Sequence, residues 1–125
     1  MDDIWNKIKT EVQKNENVLT VTMEKLRNAY GASRLGVNVC DEISSTLARL
    51  GLGHVPVVLP TYQQELVRLY QKGTPVGDLI ETVLTPGEQN DLMLSNYAVI
   101  VQKVRELVAG VTKHAEPGAA PDPAA

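Results

Sequence analysis

A mainly α fold is predicted: a helical domain carrying a helix-turn-helix arrangement and a short two-stranded hairpin, followed by a long C-terminal helix. Three observations predict it. Apolar residues recur at helical spacing along most of the chain. Gly31-Ala32-Ser33 separates two of these helical segments by a tight turn, and the β-branched, proline-bounded run at residues 54–60 suits a short edge strand. At 125 residues the chain is long enough to bury a modest core.

Asp2 and Asp3 suit the positive end of a helix dipole, and Ile4, Ile8 and Val12, with Trp5 beside them, form a stripe that residues 15–17 break. Trp5, the single tryptophan, is expected to anchor the core or a subunit interface. Lys7, Lys9 and Lys14 form a basic outer face, expected to be solvated. Thr22 is the expected N-cap of the next helix, with Leu26, Ala29 and Tyr30 on one face. Gly31 can adopt the left-handed conformation that ends helices, and Ser33 offers a fresh N-cap. Val39, Ile43, Leu47 and Leu50 then make one buried stripe on a helix ending at Gly51 or Gly53, and Cys40 beside Val39 is expected in the packing.

The run Leu26-Arg27-Asn28-Ala29-Tyr30-Gly31-Ala32-Ser33-Arg34, followed by Leu47-Ala48-Arg49-Leu50-Gly51-Leu52, resembles the winged helix-turn-helix family of DNA-binding domains. The Ala-x-Gly-x-Ser-Arg turn and the Leu-x-x-Leu-Gly-Leu close are the matching parts. The resemblance implies that the second helix enters the major groove, with residues near its N-terminus reaching base edges. On this chain those are Ser33, Arg34 and Asn38, with Lys25, Arg27 and Arg49 holding phosphates. Two features depart from the family: the apolar stripe begins about two residues later after Ser33, and Asp41 and Glu42 stand on the helix meant to face phosphates.

Residues 66–70 fit two patterns. Val67 and Leu69 alternate with Arg68 and Tyr70, as in a strand that pairs with residues 54–60 across a wing loop at 61–64. Thr61-x-x-Gln64 is also a capping box, and Tyr62, Leu66 and Leu69 have helical spacing. The strand is preferred, and it makes Arg68, Lys72 and the Gln63-Gln64 tip candidate phosphate contacts. Thr74 caps a third helix with Pro75 in its first turn and Leu79, Ile80, Val83 and Leu84 on its expected buried side.

Thr85-Pro86-Gly87-Glu88 is a capping box with proline at the first helical position. The helix it opens can run to about Thr112. Leu94, Tyr97, Val101, Val104, Val108 and Val111 are spaced three and four residues apart, the repeat that keeps an apolar seam facing a partner helix, and are the expected homodimer interface. Met93, Ile100 and Leu107 give a second, parallel seam. The expected organisation is a winged helix-turn-helix domain over residues 1–84, a dimerisation helix over 85–113 and a disordered Ala- and Pro-rich tail over 114–125.

A net charge of -3 opposes a sequence-independent DNA coater, although residues 1–40 hold six Lys or Arg against five acids. Cys40 is the only cysteine, so no internal disulfide forms. No leader pattern and no apolar run of membrane-spanning length is seen, and a cytoplasmic location is expected. His54 and His114 lack metal-ligand spacing, Ser44 and Ser45 lack a nucleophile elbow, and no Gly-rich phosphate loop precedes a helix. The expectation is therefore a non-enzymatic homodimeric protein, with no metal or cofactor, that binds double-stranded DNA as a transcriptional regulator or accessory factor. The alternative is a protein-interaction module that uses a winged-helix-like fold without DNA.

Overall fold

A computed structural model describes the backbone of residues 2–115 and the side chains of residues 3–110. Eight elements follow one another: α1 (Asp2–Lys14), β1 (Val18–Thr22), α2 (Met23–Tyr30), α3 (Val37–Arg49), β2 (Leu52–Val55), β3 (Leu66–Gln71), α4 (Pro75–Leu84) and α5 (Glu88–Ala115). The protein is mainly helical, with one small antiparallel sheet in the order β1-β3-β2. The chain divides into two compact units, Met1–Glu81 and Thr82–Ala125, with the boundary inside α4.

The first unit is organised around one core. Trp5, Ile8 and Val12 enter it from α1, Met23 and Leu26 from α2, Ile43 and Leu47 from α3, and Val67 and Leu69 from β3. Trp5 therefore anchors the core, whereas Ile4, placed on the same stripe by spacing, is exposed. The α1 helix stops where expected. Asn15 Nδ2 donates to the Val18 carbonyl at 2.6 Å, and Glu16 and Asn17 turn the chain at φ 62° and 69°.

The strand after that turn was not anticipated. β1 pairs with β3 from Val18↔Tyr70 to Thr22↔Leu66, and β2 pairs with the other edge of β3 from Leu52↔Gln71 to Val55↔Arg68. Instead of a two-stranded hairpin the protein has three strands with β3 in the centre. This settles residues 66–70 as strand. The strand expected over 54–60 is displaced to Leu52–Val55, and residues 56–65 form the hairpin loop, longer than the 61–64 expected.

Thr22 caps α2 as expected, its Oγ1 accepting from Lys25 N at 3.2 Å. Gly31 ends it at φ 90°, its N–H donating to Arg27 O at 2.9 Å. Ser33 does not cap α3. That helix begins at Val37 behind an extended Gly36 (φ -117°, ψ 176°), without a side-chain cap. The reason is packing: residues 32–36 carry Leu35 onto the core before the backbone can turn helical, and this delay is the late apolar stripe seen in the sequence.

In α4, Thr74 Oγ1 accepts from Gly77 N at 3.2 Å, so the predicted cap forms. The expected buried side does not, since Leu79 and Val83 are exposed and Ile80 and Leu84 only half-buried. Gly77 sits so close to the Gln71 carbonyl that any side chain there would collide with it, and Glu81 one turn on receives the Tyr70 hydroxyl. The Gly77–Glu81 side of α4 thus turns to β3, which leaves Leu79 on another face.

α5 starts at Glu88, not at Pro86, with Asp91 N donating to Gly87 O at 2.8 Å and Asn90 Nδ2 reaching back to Thr85 O at 2.9 Å. Leu94 and Tyr97 are half-buried, while Val101, Val104 and Val108 are exposed. The side chains of Val111 and His114 lie outside the described residues, as does the expected tail beyond Ala115. No helix of the described residues is long and apolar enough to cross a membrane.

Candidate nucleic-acid interface

The α2–turn–α3 segment places the expected base-reading residues together at one end of α3. Ser33 and Arg34 lie exposed in the turn, and Asn38 is exposed in the first turn of the helix. An uncapped helix start leaves backbone N–H groups that attract an anion. Here Gly36 offers no side-chain acceptor, and the first turn contains no acid. Arg34 therefore adds a full positive charge close to a site that is already electropositive.

Further along α3 the chemistry changes. Asn38, Asp41, Glu42, Ser45 and Arg49 are all exposed and share one face by helical spacing. Two carboxylates thus separate Asn38 from Arg49. They repel phosphate but can accept a hydrogen bond from the exocyclic amine of cytosine, as Asn38 can pair with adenine. Arg49 Nη2 donates to Thr46 Oγ1 at 3.1 Å, which holds it against its own helix.

Two expected phosphate contacts are engaged inside the protein. Lys25 Nζ bridges both carboxylate oxygens of Glu11 at 3.2 Å, joining α2 to α1 across a cleft of about 470 Å³. Arg27 donates from Nη1 to Gln63 Oε1 at 2.7 Å and from Nη2 to Asn28 Oδ1 at 3.2 Å, with Glu24 at 3.9 Å. Its side chain is 19% exposed, and its buried Nε has no partner among the described residues. Arg68 is exposed on β3, between the buried Val67 and Leu69 and opposite Thr20 and Val55. Lys72 Nζ lies 4.0 Å from Glu81.

The hairpin loop is fastened to the helices, something the sequence did not indicate. Met23 N donates to Glu65 O at 2.9 Å, Glu24 N donates to Gln63 O at 3.0 Å, and Gln63 receives Arg27. The Cys40 thiol donates to Pro60 O at 3.6 Å. Burial, reinforced by Asp41, pushes the Cys40 thiol pKa up and keeps the donor protonated. Val57, Val58 and Tyr62 of the loop and Leu66 at the start of β3 are left exposed, so apolar side chains stand beside the expected Gln63-Gln64 tip.

Ser44 and His54 also meet. Ser44 Oγ is 2.8 Å from His54 Nε2, and His54 Nδ1 is 2.8 Å from the Pro56 carbonyl. Because the carbonyl only accepts, Nδ1 carries a proton, and in the neutral ring Nε2 then accepts from the serine hydroxyl. The pair ties α3 to β2 and to the start of the loop. No spacing rule links a helix serine to a strand histidine ten residues later, and only the turn at Gly51, φ 77°, brings them face to face. Among the described residues no group of three or more His, Cys, Asp or Glu could hold a metal. No family model, no curated protein and no solved structure matches the chain.

Proposed function

We propose that the chain is a winged helix-turn-helix protein that binds duplex DNA as a homodimer, in the role of a small transcriptional regulator or accessory factor. The element order α1-β1-α2-α3-β2-β3 with sheet order β1-β3-β2 supports that architecture. The observation that carries the DNA reading is the uncapped, acid-free start of α3 with Ser33, Arg34 and Asn38 exposed around it. In this reading the start of α3 meets the major groove edge, Asn38 contacts a base, and Arg34 with the open N–H groups holds a phosphate. α5 pairs two copies through its apolar seam, and two-fold pairing of helix-turn-helix units serves DNA half-sites one helical turn apart, about 34 Å.

The engaged state of Lys25 and Arg27 limits the electrostatic share of binding. Few released counterions mean a shallow salt dependence. Fluorescence anisotropy with mixed-sequence duplex at low and moderate salt tests this. Binding that weakens with salt, and weakens further with Arg34→Ala, is expected. No duplex binding at low ionic strength overturns it.

A second reading is favoured by the hairpin loop. Exposed Val57, Val58, Tyr62 and Leu66, together with the acids on α3, suit a protein surface better than a phosphate backbone. A protein-interaction module of this kind binds no duplex, so the same titration separates the two.

A further inference from the structure

We propose that the cleft between α1 and α2 binds a small organic anion, a monocarboxylate with an apolar body. Helical spacing puts Ile4, Lys7, Ile8 and Glu11 on one face of α1, and the Lys25, Asn28 and Ala29 face of α2 lines the same cleft of about 470 Å³. That volume lies within the range of small-molecule sites. The gap has a local cause. Ile4 continues the stripe of Ile8 and Val12 but is 48% exposed, because Ala29 brings only a methyl group to the opposing face and leaves the space beside Ile4 unfilled.

The lining carries Lys7 and Lys25 against Glu11 and Glu24, so total charge does not select a ligand. The pairing of those charges does. Glu11 gives both carboxylate oxygens to Lys25 Nζ at 3.2 Å, and Glu24 Oε2 lies 3.9 Å from Arg27 Nη2, so each acid is already balanced by a cation of the protein. Lys7 is exposed and has no ion pair or hydrogen bond among the described residues. Asn28 receives Arg27 at Oδ1, which leaves its Nδ2 to donate, and the Thr22 hydroxyl accepts from Lys25 N while keeping its own proton. The groups left over are therefore donors, one of them a full cation, and their complement is an oxyanion. One unpaired cation beside the exposed Glu24 matches a single negative charge better than a double one. Ile4, Ile8 and Ala29, with the methylene stems of Lys7 and Lys25, offer contact to an apolar body. The inference stands apart from duplex binding, since no residue proposed to read a base lines the cleft.

Amide chemical shifts of the full chain, followed by NMR during titration with phenylacetate, phenethylamine and phenethyl alcohol, test this. The three probes share one body and differ in charge. Phenylacetate should give saturable shifts centred on Lys7, Lys25, Asn28 and Ala29, the alcohol weaker ones and the amine none. Lys7→Met, which keeps the stem without the charge, should weaken phenylacetate about tenfold, the weight of one charge-assisted hydrogen bond. Lys7→Arg should restore most of the affinity, and Lys9→Met, on the same helix but outside the cleft, should leave it unchanged. The spectra without probe report that each variant is folded. Absence of saturable shifts at the cleft, binding of the amine or the alcohol as tight as that of phenylacetate, or phenylacetate binding that Lys7→Met leaves intact overturns the proposal.

Discussion

Lys25 and Arg27 stand two residues apart on α2, and sequence reasoning gave both the same role, yet their environments differ. The Lys25–Glu11 pair is about 40% exposed on each side, where an ion pair contributes less than about 1 kcal/mol. Arg27 is mostly covered and joins α2 to the hairpin loop through the half-buried Gln63, so its removal breaks a charge-assisted hydrogen bond, at roughly 1–3 kcal/mol. Urea denaturation of Arg27→Ala and Lys25→Ala should show the first clearly destabilised and the second nearly neutral. Equal losses would contradict this division. Cys40 offers a second check at this scale. A buried thiol whose pKa is raised is a poor nucleophile, so the native protein should react with a thiol reagent at mildly alkaline pH far more slowly than the urea-unfolded chain. Comparable rates would mean that the Pro60 contact opens freely.

Tyr70 gives a pH dependence with a definite sign. Burial first, then the charge and hydrogen bond of Glu81, push its pKa up to about 12, against about 10 in the unfolded chain. The folded state therefore holds this proton more tightly. Its contribution is complete below pH ~10 and is lost as the pH rises toward ~12, a difference of roughly 2 kcal/mol. Denaturation curves at neutral and strongly alkaline pH should show a larger alkaline loss for the natural protein than for Tyr70→Phe. Identical losses would show that Glu81 and burial do not hold the proton.

At the scale of elements, what was legible in the sequence was local punctuation. Thr22, Gly31 and Thr74 act through backbone groups at most three residues or one turn away, and each forms its expected cap or stop. What was not legible depended on distant partners. β1 alternates only over Leu19-Thr20-Val21-Thr22, a run too short to mark a strand by itself, and it is held in place by β3 beside it. The start of α3 is set by Leu35 reaching the core, not by the better cap at Ser33. In the candidate site, exposure of Ser33, Arg34 and Asn38 was readable from position, while the capture of Arg27 by Gln63, thirty-six residues away, was not. The Gly53↔Tyr70 pair illustrates the same dependence. The Tyr70 ring lies directly on Gly53, in the space a side chain would need. Gly53→Ala should cost about 1–3 kcal/mol by forcing the ring aside, measurable as a lower urea midpoint. An unchanged midpoint would mean that the sheet yields easily there.

For the whole molecule, the two compact units differ in what stabilises them. The first holds Trp5, Ile8, Met23, Leu26, Ile43 and Leu69 in one covered core, so its unfolding is intramolecular and independent of concentration. The second contains α5, whose apolar sector is exposed in a single chain. If other copies cover it, its helix is stabilised by mass action and melts at a temperature that rises with protein concentration. Two probes separate these behaviours, because the only tryptophan reports the first unit and far-UV circular dichroism reports total helix, α5 included. On tenfold dilution the helix signal should lose part of its amplitude at a lower temperature, while the Trp5 transition stays in place. Coincident transitions that do not move with concentration would mean that α5 is held within its own chain, and the apolar sector would then require an intramolecular explanation.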